Sequence, residues 1–333
     1  MRGLDLDPLW QVAEAQPSLP GRGRAHGTDF STACGEILIA VNEDGSRAVL
    51  FPTESDDAFA SDTTTKVQVT KRTLRFDGDE AVYVAVSCSA DRLNGVFTTL
   101  AAEMIQASEG VSRPSAVILA TLDEWRDLLS GEKSEILTES KLVGLAAELL
   151  TLLAVLSSDP HRDVTVWTGP QGALHDIRRG PEALEVKGTL SREGLSVEIH
   201  GLRQLEPPTD GRLHLVVFRL ERDVEHGFSV PDLVRSILDL GVSRLEFVKR
   251  LGHVGYDQAD EANYAELRYA VVDRYVYAVD GTFPRIVRAS LVAGDAPAGV
   301  TLLRYTVDLA GATPTPLSTT EADAAVQTVA GVS

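Results

Sequence analysis

The chain has 333 residues, room for about two domains and a sizeable core. Hydrophobic residues make up 44% and charged residues 24%, which excludes wholesale disorder. The net charge of −18 excludes a surface that coats nucleic acid or an anionic membrane, although it leaves room for a local site.

In chain order, "MRGLDLDPLWQVAEA" reads as an amphipathic opening without the apolar core of a signal segment. "PSLPGRGRAHG" (17–27) reads as a Pro/Gly loop, and with no strand before it its glycines do not make a phosphate loop. From Gly35 to Cys88 the pattern is strand-rich: "EILIAV", "RAVLF", "TKVQVTKRTLRF" and "AVYVAVSC", separated by turn residues such as Asp44-Gly45 and Asp77-Gly78. A helix over "DRLNGVFTTLAAEMIQAS", a buried strand over "SAVILAT" and a short helix around "LDEWRDLLSG" complete an N-terminal α+β domain over residues 1–130. Cys34 and Cys88 are far apart and lack metal-ligand spacing, which fits two free thiols in a reducing cytoplasm.

A second domain is predicted over 131–310. "SKLVGLAAELLTLLAVLSS" places leucines at 142, 145, 149, 152, 153 and 156, the recurrence of a buried helical face. Its apolar run Leu142 to Leu156 is too short to span a bilayer and carries one charge, Glu148. Short strands follow over "VTVW", "ALHDIR", "ALEVKGTL", "LSVEIHGLRQL" and "RLHLVVFRL". Helices open at Ser229 and Ser243, each with an acidic residue three positions on. Strands return over "YAELRYAVVDRYVYAV", "RIVRASLV" and "VTLLRYTVDL", and residues 311–333 read as a loose tail. The order predicts an α+β or α/β fold with a mixed sheet flanked by helices.

Chemistry concentrates in "HDIRRGPEALEVKG", His175 to Gly188. From His161 to Arg222 the chain holds nine Lys/Arg and nine Asp/Glu, so this stretch is neutral and the acidic excess lies elsewhere. Strand alternation turns Glu185 and Lys187 one way while Leu184, Val186 and Gly188 turn the other. A hairpin through Gly180-Pro181 brings Asp176 beside Glu185. Two hard oxygen ligands suit Mg²⁺, and an adjacent ammonium can orient the attacking water or stabilise charge on a phosphorane. Glu148, as a carboxylate in an apolar helix, needs a partner or a helix-edge position facing water. Gln204 follows the next strand, where its amide could hold a water or a phosphate oxygen. Glu-x-Lys is also the pattern of a surface ion pair. Arg178, Arg179, Arg192 and Arg203 are candidate phosphate contacts. Asp257, Asp260 and Glu261 read as a solvated acidic loop, and His161, His175, His200 and His214 lack zinc spacing.

Helix-Glu, strand-Asp, strand-Glu-x-Lys and a following Gln resemble the PD-(D/E)XK nuclease superfamily, whose fold is restriction-endonuclease-like. More narrowly, "GLAAELLTLLAVL", "VWTGPQGALHDI", "LEVKGT", "GLRQLEP" and "LHLVVFRL" resemble a bacterial family of PD-(D/E)XK-motif proteins found with DNA-modification and helicase genes in phage-defence loci. The resemblance implies that Asp176 and Glu185, with the Val186 backbone between them, bind Mg²⁺, with Mn²⁺ as a substitute. It makes Lys187 the catalytic lysine, Glu148 the helix carboxylate used by some members, and Gln204 the auxiliary glutamine. His175 stands where the motif has proline, and Pro207-Pro208 precludes the helical Gln-x-x-x-Tyr of exonuclease-like members. The implied activity is a cytoplasmic Mg²⁺-dependent DNA endonuclease. DNA would be delivered by a helicase, translocase or modification subunit, with a homodimer as the alternative to such a partner. A catalytically silent scaffold in such a complex is the competing expectation.

Overall fold

The computed structural model describes residues 4, 6–15, 24–61, 66–76, 79–125, 136–191, 194–291, 294, 299–300, 302–311 and 314–331. The chain divides into two units, Met1–Ser134 with Asp257–Ala259, and Glu135–Tyr256 with Asp260–Ser333.

In the first unit, helix α1 (Asp7–Ala15) precedes five antiparallel strands: β1 (Arg24–Thr32), β2 (Gly35–Val41), β3 (Arg47–Pro52), β4 (Val67–Phe76) and β5 (Asp79–Cys88). Their order in the sheet is β1-β2-β3-β5-β4. Alternation sends Ile37, Ile39, Val49, Phe51, Val84 and Val86 to one face, all fully buried. Helix α2 (Asn94–Ala107) packs on β3, and its Phe97 meets Trp10 of α1 with ring centroids 6.3 Å apart.

Two expectations fail in this unit. Arg24–Gly27, expected in a loop, pairs with β2 from Val41 to Leu38. The expected strand over Ser115–Thr121 is helix α3 (Ser115–Glu124), with Ser115, Ile118, Thr121 and Leu122 buried at helical spacing. The Asp57 carboxylate decides the matter. It accepts from Ser115 Oγ at 2.5 Å and Ser115 N at 3.3 Å, holding the first turn of α3. Leu122, Asp123 and Glu124, at the end of α3, and Trp125 are the described part of the expected helix near Trp125.

The second unit opens with α4 (Glu139–Ser158) and continues through β6 (Ile177–Arg179), β7 (Glu182–Thr189), β8 (Ser196–His200) and β9 (Arg212–Arg222). Helices α5 (Val230–Asp239), α6 (Arg244–His253) and α7 (Glu261–Ala265) follow, then β10 (Tyr269–Ala278), β11 (Arg304–Asp308) and α8 (Thr319–Val329). The main sheet runs β10-β9-β7-β6. It is mixed, with β7 and β9 parallel and the outer pairs antiparallel. Helices α4, α5 and α8 cover one face, where Leu142, Leu149, Leu152, Ile177, Leu184, Val186, Val216 and Val326 share a core. The two-stranded β8–β11 ribbon covers the other, with Val197, Ile199 and Val307 against Ala183, Leu213, Leu215 and Val217. This is the restriction-endonuclease-like plan, preceded by a strand-rich α+β unit.

Local chemistry sets the helix starts. Ser229 and Asp232 form a reciprocal capping box on α5, Ser318 and Glu321 do so on α8, and Ser243 Oγ accepts from Glu246 N on α6. Four expectations are corrected here. Val164–Val166 is a 3-10 turn, because Asp163 Oδ1 accepts from both Thr165 N and Thr165 Oγ1, and only Trp167 bridges to a strand. The described part of 285–292 forms no strand: Arg285 Nη1 donates to Leu205 O at 2.7 Å, and Arg288–Ser290 is a 3-10 turn. The expected loose tail contains α8, whose Ala322, Ala325, Val326 and Val329 are in the core. And α4 is long and apolar enough to cross a membrane by length and composition, but its leucine face is core packing.

Candidate active site

The short edge strand β6 positions the strand carboxylates. Ile177 pairs with Leu184, and both side chains join the helix-covered core. Glu185 turns to the other face, shared with Leu215 and Val217. Because β6 begins at Ile177, Asp176 lies just outside the paired register, and Val186 N on the edge of β7 donates to Asp176 Oδ2 at 2.8 Å. A strand residue turns its N–H and C=O to the same edge, so the Val186 carbonyl also faces the Asp176 side. Lys187 Nζ donates to Glu185 Oε1 at 2.7 Å.

Glu148 reaches the same group from α4. The helix lies close against β7 because Gly188 has no side chain: a Cβ there would sit 2.5 Å from Val143 O. Trp167 Nε1 donates to Glu148 Oε2 at 2.8 Å. The structure thus brings Glu148, Asp176, Glu185 and Lys187 into mutual electrostatic contact.

Burial sets their titration. Desolvation, then the Asp176 charge, pushes Glu148 up to about 8, against the Trp167 hydrogen bond and Lys187. Glu185 is 1% exposed; burial and then Asp176 hold it well above the carboxylate range. Asp176 is raised by burial, against Lys187 and the Val186 N–H. Burial works against the Lys187 ammonium too, but Glu185 and Asp176 outweigh it and hold that group above the usual lysine value.

When ionised, three carboxylates beside one ammonium in a desolvated setting carry an excess negative charge that a divalent cation would offset. One oxygen of each carboxylate is held, by Trp167, Val186 or Lys187, and the other takes no hydrogen bond from the described residues. Glu185 Oε2 is fully buried in that condition. Among the described residues no three His, Cys, Asp or Glu side chains form a ready cation cage. Mg²⁺ needs none, since it is commonly held by one or two carboxylates and keeps several waters. Asp176, Glu185 and the Val186 carbonyl fit it.

The remaining candidates lie outside this group. Gln204 Oε1 accepts from His200 N at 2.8 Å and fastens the turn after β8, so that oxygen is committed locally. His175 is 2% exposed, with Nε2 3.0 Å from Glu206 O. Burial pushes its pKa down to about 4, which leaves a neutral ring that donates to that carbonyl. Arg179 pairs with buried Asp159 at 2.5 Å, Arg203 meets Glu206 at 3.8 Å, and exposed Arg178 donates to Gly180 O. Arg192 lies outside the described residues. Trp167 and Gly188 were not among the sequence candidates; their signals are a tryptophan just ahead of the motif and a glycine directly after Glu-x-Lys.

A family model described as "Putative PD-(D/E)XK family member, (DUF4420)" matches residues 15–310. No curated protein and no solved structure matches the chain.

Proposed function

Since the chain belongs to this PD-(D/E)XK family, we propose that it is a Mg²⁺-dependent DNA endonuclease that serves as a subunit of a bacterial restriction or phage-defence system. What supports the reading is Asp176 Oδ2 accepting from Val186 N at 2.8 Å, between Glu185 and Lys187, whose side chains meet at 2.7 Å. Asp176, Glu185 and the Val186 carbonyl would hold the cation, Mg²⁺ or Mn²⁺, which supplies polarisation of a phosphoryl oxygen and of a water. Lys187 presents a positive charge and hydrogen-bond donors to the oxygen on which negative charge develops. Glu148 adds a third carboxylate from the helix layer. The hydrophobic floor of Ala183, Leu215 and Val217 limits water around these groups and strengthens their electrostatics.

With a net charge of −18 the chain does not capture DNA by itself. A helicase, translocase or modification subunit delivers the substrate, and the N-terminal unit contacts that partner. Cys34 and Cys88 are in no disulfide, in keeping with a cytoplasmic setting. A thermal-shift titration tests the cation site: Mg²⁺ or Mn²⁺ raises the melting temperature of wild type and leaves Asp176→Ala unmoved. Equal shifts in both proteins, or none in wild type, contradict the assignment.

A further inference from the structure

Three consecutive residues outside the motif hold both the helix carboxylate and the strand aspartate. Trp167 is fully buried, and its indole N–H donates to Glu148 Oε2 at 2.8 Å. The next two N–H groups, of Thr168 and Gly169, donate to the Asp176 carbonyl at 2.8 and 2.9 Å. Thr168 Oγ1 donates to His175 O at 2.9 Å. Gly169 lies so close that a Cβ there would stand 3.1 Å from both the Asp176 Cα and its Oδ1. Behind the clasp, the buried guanidinium of Arg250 on α6 donates from Nη1 to Trp167 O at 3.0 Å, and Phe247 packs on the indole at 6.0 Å.

The indole N–H is a single donor with a fixed direction, so it holds one Glu148 oxygen and leaves the other without a bond from the described residues. A glutamate side chain otherwise has several rotamers to lose on ligating a cation. We propose that Trp167 is a positioning residue for the cation site, its indole N–H holding Glu148 in the ligating orientation while the Thr168 and Gly169 N–H groups fix Asp176. Outer partners of metal ligands commonly contribute about tenfold to a hundredfold in metal affinity. The inference rests on the cation-dependent reading above.

The chain supplies its own controls for a spectroscopic test. Of its three tryptophans, Trp167 bonds Glu148, Trp125 Nε1 bonds Glu103 at 2.7 Å, and Trp10 Nε1 is buried with no hydrogen-bond partner among the described residues. The indole N–H resonances of the isotope-labelled full chain are followed during a Mg²⁺ titration, with Trp167→Phe identifying the Trp167 signal by its loss. The expected result is a saturable shift of the Trp167 signal alone, a shift of the same signal in metal-free Glu148→Gln, and Mg²⁺ affinity about tenfold weaker or more in Trp167→Phe by calorimetry. If wild type binds Mg²⁺ but the Trp167 signal stays fixed and Trp167→Phe binds equally well, the inference is overturned and the cation site stands. If wild type binds neither Mg²⁺ nor Mn²⁺, the functional reading falls and takes the inference with it. Should Trp167→Phe fail to fold, the Mg²⁺ titration of wild type against Glu148→Gln decides in its place.

Discussion

Lys187 Nζ sits 2.7 Å from Glu185 Oε1, the two side chains projecting from the same face of β7 with Val186 turned the other way between them. Glu185 is 1% exposed, so its charge depends on Lys187. Removing one partner of a buried pair usually costs about 3–5 kcal/mol if the other stays charged. Here the carboxyl escapes part of that cost by taking up a proton, so Lys187→Ala should lose about 1–3 kcal/mol, less than a full buried charge. It should keep its fold by circular dichroism, bind Mg²⁺ at least as well as wild type, and show no cleavage.

Asp176→Ala and Glu185→Ala should lose Mg²⁺ binding and cleavage together. Without cation they should melt at or slightly above the wild-type temperature, since each removes one of several like charges held close. A site filled at a hundred times its Kd gains about 2.7 kcal/mol of stability. That increment should appear in wild type and vanish in both variants.

Gly188→Ala tests the spacing between α4 and β7. The added methyl meets a backbone oxygen at 2.5 Å, so the helix must move. Overpacking of this kind costs about 1–3 kcal/mol, measurable by urea denaturation. Cleavage should fall more than stability, because the displaced helix carries Glu148 with it. Loss of stability with full activity would separate Glu148 from the reaction.

The three buried carboxyls should cost the metal-free protein stability as pH rises. Burial raises Glu148 from 4.5 to about 8, and Glu185 and Asp176 are raised as well. The folded chain therefore keeps protons on these groups that the unfolded chain releases, so their contribution is greatest below the ordinary carboxyl value and declines through the folded values, toward about pH 8 for Glu148. Buried His175, pushed down to about 4, works in the opposite direction, so the difference between wild type and Glu148→Gln isolates the carboxyl. Between pH 5 and pH 8 without metal the melting temperature of Glu148→Gln should gain on that of wild type; a difference that stays constant with pH would contradict the burial of Glu148.

Much of this arrangement was legible in the sequence, because it follows from periodicities. Leucine spacing gave α4, alternation gave β7 and β9, and the Ser229–Asp232 box gave the start of α5. Strand parity placed Glu185 and Lys187 on one face of β7. What escaped was decided by contacts across long stretches of chain. Ser115–Glu124 is a short apolar run that suits strand or helix equally, and Asp57, 58 residues earlier, tips it to helix. The alanine-rich α8 is only weakly amphipathic, so its place in the core did not show. The bond from Trp167 to Glu148 joins two side chains 19 residues apart, and no local pattern encodes it. Gln204 was placed correctly after its strand, but the tight turn there takes its oxygen for His200 N.

If Asp176, Glu185 and Lys187 cut DNA with a divalent cation, nicking or linearisation of plasmid in Mg²⁺ and Mn²⁺ reads it out. Wild type, Asp176→Ala and Lys187→Ala are compared on modified and unmodified plasmid, with the products of neighbouring genes added. Wild type should cleave, chelation should abolish the cleavage, and neither variant should cut. Cleavage by both variants at the wild-type rate, or none by wild type with every partner present, would contradict it and leave Glu185–Lys187 as an ion pair in a binding scaffold.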